Sequence, residues 1–464
     1  MVGLLALIAL TFRPVVEGDG VGYYAYLHAI LVSHSLRLSN EYSAAVSSHV
    51  PVYLPLVTTK TSTGRLADYF PIGSAVMAAP AYLVALWLRP SGEPQYGSPF
   101  VEAFTLASLA YGLMGLAISY RLASSVTGNR RAALVGVAGA TVATPAVYYL
   151  LSDPSYSQTF SVFCVSAFLY LWFAHPPHSA KGWFGLGVLG GIMAMTRFQD
   201  GLLLAIVLVD ARRLRWPALW LIPGVLIGFA PQFVTDQVQF NTWLPQRPPG
   251  QDLDLLHSHY LDTLFSSRDG VLVWSPVALV AVVGLIFIRD RRLQMAVVVA
   301  LVLETLIIGA APDPVGRSFG ARRFVDLVPV AAVGVAAFAE RFGPKISLAL
   351  VGLLCAWNIV LEANFEYLMS SSPGSGYVSL LSGQAAALAY VPRLLAKGGA
   401  VRDLLLWSQS HRPFDPVKGI LMVALEAASL GAAAAVAARP STQRRAAFGQ
   451  ERDANHEQGH NPSG

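Results

Sequence analysis

Apolar segments long enough, or nearly long enough, to cross a bilayer recur along the whole chain, and this feature restricts the fold most. They lie near 1–12, 101–121, 131–151, 157–174, 184–196, 201–210, 216–234, 271–288, 295–311, 324–339, 345–361 and 418–438. A spanning helix needs about 20 predominantly apolar residues. Only 13% of the 464 residues are charged, against roughly 25% in soluble domains. The sequence therefore predicts an all-α polytopic membrane protein with about 12 transmembrane helices.

Arginine and lysine indicate which face is cytoplasmic, because short cytoplasmic loops carry an excess of them. Basic clusters follow many of the apolar runs: Arg121/Arg130/Arg131, Lys181, Arg212/Arg213/Arg215, Arg289/Arg291/Arg292, Arg341/Lys345 and Arg439/Arg444/Arg445. These clusters share one face only if the apolar run 71–88, interrupted by Pro80, does not cross. We therefore expect 71–88 to form a re-entrant or interfacial helix on the outer side, and both chain ends to be cytoplasmic.

This topology predicts a transmembrane domain over 1–438 with outer pieces that can carry function. The outer pieces are 13–100, 235–270, 312–323 and 362–417. The polar segment 439–464 is predicted to be a disordered cytoplasmic tail, because it contains too little apolar surface to form a core.

Motifs, cysteines and charge narrow the function classes. The chain has no G-x-x-x-x-G-K-[ST] motif, so an ATPase function has no support. Cys164 and Cys355 both lie inside apolar runs, which argues against a disulfide framework. The net charge of +5 comes mostly from arginines beside apolar segments, and this placement indicates topology and membrane lipids as partners, with no nucleic acid.

The first outer piece opens on two carboxylates, Glu17 and Asp19, followed by the aromatic pair Tyr23 and Tyr24. A third carboxylate, Glu41, comes later in the same piece. Carboxylates at a lipid–water boundary can act as general bases or metal ligands. The alternative is a helix end that is simply solvated. A divalent metal at this acidic loop is a further expectation, although nothing in the sequence specifies a cofactor.

The outer loop 312–324 carries three arginines: Arg317, Arg322 and Arg323. Short translocated loops usually avoid arginine, so this cluster is explained if it binds phosphate, which guanidinium groups contact in a bidentate way. The alternative is that the loop is cytoplasmic.

Ionisable residues also stand at the edges of apolar runs. Arg197 and Asp200 lie between two short runs, where they form either a local pair that stabilises the turn or a ligand contact. Asp153 and Glu304 are interpreted as helix-end residues.

Three sequence blocks resemble the GT-C glycosyltransferases, which include protein O-mannosyltransferases and aminoarabinose transferases. The blocks are GDGVGYYAY at 18–26 continuing to NEY at 40–42, LFSSRDGVLVWSP at 264–276, and SFGARRFVD at 318–326. The likeness in layout extends to about residue 361.

The resemblance implies a bacterial inner-membrane enzyme that transfers a sugar from a polyprenyl-phosphate donor to a lipid, glycan or protein acceptor, with inversion, at an active site on the periplasmic side. It implies that Asp19 is the base, with Glu17 as competitor and Glu41 as a second acidic member. Arg322 and Arg323, with Arg197 and Arg317, would neutralise the departing phosphate, and Tyr23 and Tyr24 would contact substrate.

Two other classes use the same residues differently. A flippase or secondary transporter of a lipid-linked or anionic substrate needs the arginines but no base, and it predicts ionisable residues near the membrane midplane. A non-catalytic scaffold for envelope assembly predicts no effect of changes at Asp19 or Arg322.

Overall fold

The computed structural model describes residues 11–88, 94–213, 215–256, 258–313, 318–369 and 376–395. Within these ranges the regular structure is helical, and pairing of extended backbone is confined to two isolated bridges, Gly18 with Val52 and Lys60 with Leu66. The prediction of an all-α membrane protein is confirmed. The predicted spans 1–12 and 418–438 and the predicted tail 439–464 lie outside the described residues.

The helices of the first half are α1 (Gly20–Leu31), α2 (Ser39–Ser47), α3 (Pro55–Thr58), α4 (Gly73–Leu88), α5 (Ser98–Thr127), α6 (Arg130–Val142), α7 (Ala146–Leu151), α8 (Gln158–Ala174) and α9 (Ala180–Thr196). The later helices are α10 (Leu221–Phe240), α11 (Tyr260–Phe265), α12 (Val271–Trp274), α13 (Val277–Leu285), α14 (Arg291–Gly309), α15 (Val328–Phe342), α16 (Pro344–Asn364), α17 (Tyr377–Ala387) and α18 (Val391–Leu395). Segments of 3₁₀ helix cover Phe198–Arg213, Trp216–Trp220, Arg322–Leu327 and Leu388–Tyr390, and a π turn covers Phe365–Met369.

Four helices in the described part of the chain are long and apolar enough to cross a membrane: Pro99–Thr127, Trp216–Phe240, Arg291–Gly309 and Pro344–Met369. Gly73–Leu88 and Gln158–Ala174 are shorter apolar helices. Two of the predicted runs are divided at a proline, because α7 begins directly after Pro145 and α13 directly after Pro276. Proline has no N–H to continue a helix but suits the start of the next one. In these two runs apolar composition therefore overestimated the length of the helix, whereas Ser98–Thr127 is longer than the predicted run 101–121.

Two sets of contacts mark opposite ends of the helix bundle. In one set, Arg292 at the start of α14 lies 2.8 Å from Asp210 and donates to the carbonyl of Trp172 near the end of α8 at 2.9 Å. In the other set, Arg322 lies 2.7 Å from Asp19. Both α8 and the segment Phe198–Arg213 connect these sets. The candidate site residues therefore gather at the end of the bundle opposite Arg292.

Helices α9 and α10 are in very close contact through glycines spaced four apart. A Cβ added at Gly187 would lie 2.3 Å from the carbonyl oxygen of Leu221, and one at Gly191 would lie 2.3 Å from that of Val225. The partner helix presents Gly224 at the same contact. Small residues at this spacing let two membrane helices approach backbone to backbone, and α9 then positions Arg197 directly after its last residue.

Gly191→Ala is expected to destabilise the protein by roughly 1–3 kcal/mol, because the added methyl group must separate two packed helices. The matched control is Gly185→Ala on the same helix, where nothing lies within 4 Å of the added atom. The measurement is the thermal midpoint of the detergent-purified protein. Equal midpoints for the two variants would contradict this account of the α9–α10 contact.

Candidate active site

The centre of the candidate site is a contact between Asp19 and Arg322. Nη1 of Arg322 lies 2.7 Å from Oδ2 of Asp19, and the side chains are 16% and 15% exposed. Arg322 begins the 3₁₀ segment that leads into α15, whereas Asp19 directly precedes α1 and does not use its side chain to cap that helix. Burial alone would lower the pKa of Arg322, but the neighbouring Asp19 carboxylate raises it well above its usual value. The Arg322 guanidinium thus keeps its charge, and the pair is partly open to a substrate.

Two glycines hold Asp19 in place. Gly18 has a φ of +59°, a conformation that other residues rarely adopt, and its Cα faces the hydroxyl of Tyr156 so closely that a Cβ would lie 2.9 Å from it. A Cβ on Gly20 would lie 2.0 Å from the hydroxyl oxygen of Ser155. The sequence Gly-Asp-Gly therefore lets the backbone around Asp19 lie directly against the turn 152–157.

That turn contributes a second carboxylate, Asp153. Ser155 donates to Oδ1 of Asp153 at 2.8 Å and accepts from the backbone N–H of Glu17 at 3.5 Å. Burial, together with the charge of Glu17, raises the pKa of Asp153 to about 8. Asp153 does stand at a helix end, directly after the C-cap Ser152 of α7, but its side chain is buried against the first outer piece and is not solvated.

The second sequence block packs against the third. Trp274 donates from its indole N–H to the carbonyl of Ser267 at 3.0 Å, and its ring lies 5.5 Å from that of Phe319. Asp269 in the same block is buried, and burial raises its pKa to about 9 while Arg322 acts in the opposite direction. All three blocks therefore converge on Arg322.

Arg323 has no partner of opposite charge in contact. Among the described residues its guanidinium makes no ion pair, and burial together with the charges of Arg322 and Arg197 lowers its pKa to about 10. Tyr23 lies on the same side, where its hydroxyl accepts from Ser157 at 3.2 Å and burial, with the charge of Asp19, raises its pKa to about 12. A cation in this position can accept an anionic ligand without first giving up a carboxylate.

We call the segment that carries Arg322 and Arg323 the arginine loop. Arg197 contacts this loop. Its Nη1 lies 3.3 Å from Oδ2 of Asp326 and donates to the carbonyl of Arg323 at 3.4 Å, while Nη2 donates to Gln199 at 3.3 Å. The partner in contact is thus Asp326, and not Asp200 as in the predicted local pair. With these contacts Arg197 is placed to position the loop, and not to bind phosphate directly.

Three other predicted site residues are not brought into this group. Glu41 accepts a hydrogen bond from Ser33 at 2.8 Å and lies 3.6 Å from His28, with no recorded contact to Asp19. Tyr24 is fully buried and donates to the carbonyl of Gln95 at 2.6 Å. Its ring packs among those of Tyr82, Tyr96 and Phe104. Arg317 lies outside the described residues. The hydrogen bonds of Glu41 Oε1 and of the Tyr24 hydroxyl thus stay within the first outer piece, and a site role for either residue stays a prediction.

An expected metal at the acidic loop has no ligand set there within the described residues. Glu17, Asp19 and Glu41 do not form a group whose oxygens approach one another, and the group that does so consists of Asp200, Glu304 and Asp326. A metal role for the first loop stays a prediction.

Asp68 is a buried carboxylate of the first outer piece that the sequence does not single out. Its Oδ2 accepts from the Tyr42 hydroxyl at 2.7 Å, and its Oδ1 accepts from the N–H of Phe70 at 2.9 Å. Burial raises the pKa of Asp68 to about 7, and the charge of Asp19 adds to this effect. In the sequence nothing distinguishes Asp68 from a solvated loop residue, since its burial depends on the packing of α1 and α2 around it.

Asp68 is expected to make stability depend on pH. Its pKa in the folded state lies above that of an unfolded chain, about 3.9, so its contribution is fully present below about pH 4 and is lost as pH rises through about 7. The thermal midpoint should therefore fall between pH 5 and 8, and less steeply in Asp68→Asn. Asp262→Asn, at a carboxylate that is 67% exposed, controls for the loss of one negative charge. An unchanged slope in Asp68→Asn would assign the pH dependence to another group.

An apolar groove leads towards the arginines. It lies between α13 and α14 with a volume of about 770 Å³, and its lining includes Leu285, Leu301 and, at one end, Tyr260. Leu285 and Leu301 also line a smaller cavity of about 80 Å³ that reaches Ala321 and Phe324, the residues on either side of Arg322 and Arg323. The two apolar cavities thus share part of their walls, and the smaller one extends to the arginine loop.

Comparison with known proteins gave one likeness. No family model matches the chain, and no curated protein matches it. Among solved structures, the chain is similar to ArnT from Cupriavidus metallidurans in the apo state, with 15% identity and a TM-score of 0.49 over 94% of this chain and 74% of that chain. At this identity and TM-score the likeness does not bear on the chemistry of the site.

Proposed function

We propose that the protein is a membrane glycosyltransferase of GT-C type that transfers a sugar from a polyprenyl-phosphate donor to an acceptor hydroxyl. The observation that carries the proposal is the juxtaposition, in a partly open position, of Asp19, Arg322 and Arg323, the last of which makes no ion pair within the described residues. Transfer of a sugar from a phosphate leaving group needs a base for the acceptor hydroxyl and positive charge beside the phosphate. A carboxylate and two guanidinium groups supply both.

In this reaction the acceptor oxygen attacks the anomeric carbon while the bond from that carbon to the phosphate oxygen breaks. Asp19 accepts the proton of the acceptor hydroxyl, and the polyprenyl phosphate departs with one additional negative charge. Arg322 and Arg323 stabilise that charge, which is larger in the transition state than in the bound donor. Because the acceptor and the leaving group occupy opposite sides of the carbon, the configuration inverts.

Arg322 has two tasks in this scheme. In the present structure it binds Asp19, so it holds the carboxylate in one orientation before substrate arrives. A guanidinium presents several N–H groups in one plane. One edge can therefore remain on Asp19 while another contacts the phosphate.

The donor lipid fits the apolar groove between α13 and α14. The groove opens on the side of the bundle, and the cavity that shares Leu285 and Leu301 with it ends beside the arginines. A polyprenyl tail in the groove would place its phosphate next to Arg322 and Arg323. This arrangement supports a lipid-linked donor over a soluble nucleotide sugar.

The position of the site in the bundle supports an active site on the outer face of a bacterial inner membrane. The site lies at the end of the bundle opposite Arg292, whose turn carries Arg289 and Arg291 as well. Basic turns of this kind are usually cytoplasmic.

The test is an assay of membranes that contain the full chain, with polyprenyl phosphate carrying a radiolabelled sugar and lipid, glycan and protein fractions as acceptors. We expect label to appear in an acceptor and the polyprenyl phosphate to be released. The competing function, a flippase or secondary transporter, predicts instead that purified protein in liposomes moves the labelled donor across the bilayer with the sugar still attached. That second outcome, without transfer, would overturn the proposal.

A further inference from the structure

A second group of ionisable side chains lies beneath the arginine loop and has no part in the proposed reaction. Asp200, Glu304 and Asp326 are each fully buried, and each offers one carboxylate oxygen such that all three oxygens lie within 4.8 Å of one another. The three residues come from different elements: the 3₁₀ segment Phe198–Arg213, α14 and the 3₁₀ segment Arg322–Leu327. Sequence separation gives no hint of this group, since more than 100 positions lie between Asp200 and Glu304.

The carboxylates are only half satisfied. One oxygen of each carboxylate accepts a hydrogen bond. Ser161 donates to Asp200 at 2.5 Å. Gln199 donates to Glu304 at 2.7 Å and to Asp326 at 2.8 Å. The second oxygens, Oδ1 of Asp200, Oε1 of Glu304 and Oδ1 of Asp326, are buried and accept no hydrogen bond from the part of the chain that the structure describes. A buried carboxylate oxygen without a partner is strongly unfavourable, so the three carboxylates either share protons or bind a ligand.

Charge points to the kind of ligand. Within the described residues the cation in contact with the group is Arg197, 3.3 Å from Asp326. Three carboxylates and one guanidinium leave two negative charges, which a divalent cation balances. Carboxylate oxygens are the ligands that Ca²⁺, Mg²⁺ and Mn²⁺ prefer. Two oxygens on opposite sides of a Ca²⁺ ion lie about 4.6–5.2 Å apart, so the spacing of the three fits a single ion.

We propose that Asp200, Glu304 and Asp326 bind one divalent cation of the Ca²⁺, Mg²⁺ or Mn²⁺ type. The ion joins α14 and the segment Phe198–Arg213 to the segment that carries Arg322 and Arg323. Gln199, which contacts Glu304 and Asp326, links the group to the same segment by donating to the carbonyl of Arg323 at 2.8 Å. The cation therefore fixes the position of the arginine loop and does not contact the reacting atoms.

Binding can be measured without any sugar transfer, so its result is independent of the proposed function. The full chain, purified in detergent and stripped with EDTA, is titrated with Mn²⁺ while free Mn²⁺ is counted by electron paramagnetic resonance. We expect one bound Mn²⁺ per chain, a higher thermal midpoint in its presence, and competition by Ca²⁺ or Mg²⁺. Glu304→Gln and Asp200→Asn are expected to weaken binding at least about tenfold, the loss that one ligand or its support typically causes.

Two further variants locate the ion. Asp68→Asn removes a buried carboxylate outside the group and should bind Mn²⁺ as the wild type does. Asp19→Asn removes the carboxylate of the acidic first loop. Loss of Mn²⁺ in Asp19→Asn with full binding in Glu304→Gln would place the ion at that loop and overturn the proposal. The proposal would also be overturned if the wild-type protein bound no Mn²⁺, because the three carboxylates would then share protons instead. This second outcome does not depend on the folding of any variant.

Discussion

Replacement of Asp19 by asparagine is expected to lower kcat for sugar transfer by about 10²–10⁴-fold, the range in which a positioned general base contributes. Asparagine keeps the shape of the side chain and a carbonyl oxygen that can face Arg322, but it cannot accept the proton of the acceptor hydroxyl. Donor binding should persist, because the arginines remain. The measurement is the initial rate of label transfer from the lipid donor at saturating and at low donor concentration.

The matched control for Asp19 is Glu17→Gln. Glu17 stands two positions earlier and also carries a carboxylate, but the recorded hydrogen bond of this residue runs from its backbone N–H to Ser155. We expect this variant to retain most of its activity. Full activity in Asp19→Asn, or a larger loss in Glu17→Gln, would remove Asp19 from the role of base.

Arg322→Gln is expected to lower kcat by about 10²–10³-fold, the loss seen when one group that stabilises transition-state charge is removed. Arg322 contacts Asp19 at 2.7 Å and directly precedes Arg323 in the chain. Its removal therefore affects both the orientation of the base and the charge of the leaving phosphate. Arg322→Lys retains the charge but not the planar arrangement of donors, and it should fall between the wild type and Arg322→Gln.

The double variant Asp19→Asn/Arg322→Gln separates these effects. Residues in direct contact that act together lose less in combination than the sum of their separate losses. We expect the double variant to be little slower than the worse single variant. Additive losses would show that the two side chains act independently, and unchanged transfer in Arg322→Gln would contradict a role in leaving-group stabilisation.

Arg323 provides a comparison within the same loop. Because Arg323 makes no ion pair among the described residues, it does not orient the Asp19 carboxylate. Arg323→Gln should therefore raise the donor KM together with lowering kcat, but it should not change the effect of Asp19→Asn. Measurement of both kinetic constants distinguishes it from Arg322.

The prominent parts of the site could be predicted from the sequence because each violates a local rule. Arg322 and Arg323 stand in a loop that should avoid arginine, and Asp19 stands between glycines after an apolar run. Asp153, Asp269 and Asp68 violate no such rule. Their burial comes from chain segments far away in sequence, so no local pattern distinguishes them from solvated carboxylates.

Tyr23 and Tyr24 show the same limit at the scale of one residue. Both follow Asp19 and have the same chemistry, but successive residues on an α-helix point about 100° apart. Tyr23 consequently lies beside Ser157 and the site, whereas Tyr24 lies in an aromatic core with Tyr82. The sequence alone offers no way to choose between them, because the orientation of α1 depends on what packs against it.

The sequence by itself determined that this is a membrane protein built from helices, because continuous apolar runs near the length of a bilayer satisfy their backbone hydrogen bonds within the run by forming helices. It also determined which side chains are chemically capable of proton transfer and phosphate binding. Only the tertiary structure decided which of them meet. Asp19 and Arg322 are brought to 2.7 Å, and Asp200, Glu304 and Asp326 are buried together, by contacts between helices. Such contacts depend on close approaches such as Gly191 on Val225, and these are properties of pairs of segments that no single segment contains.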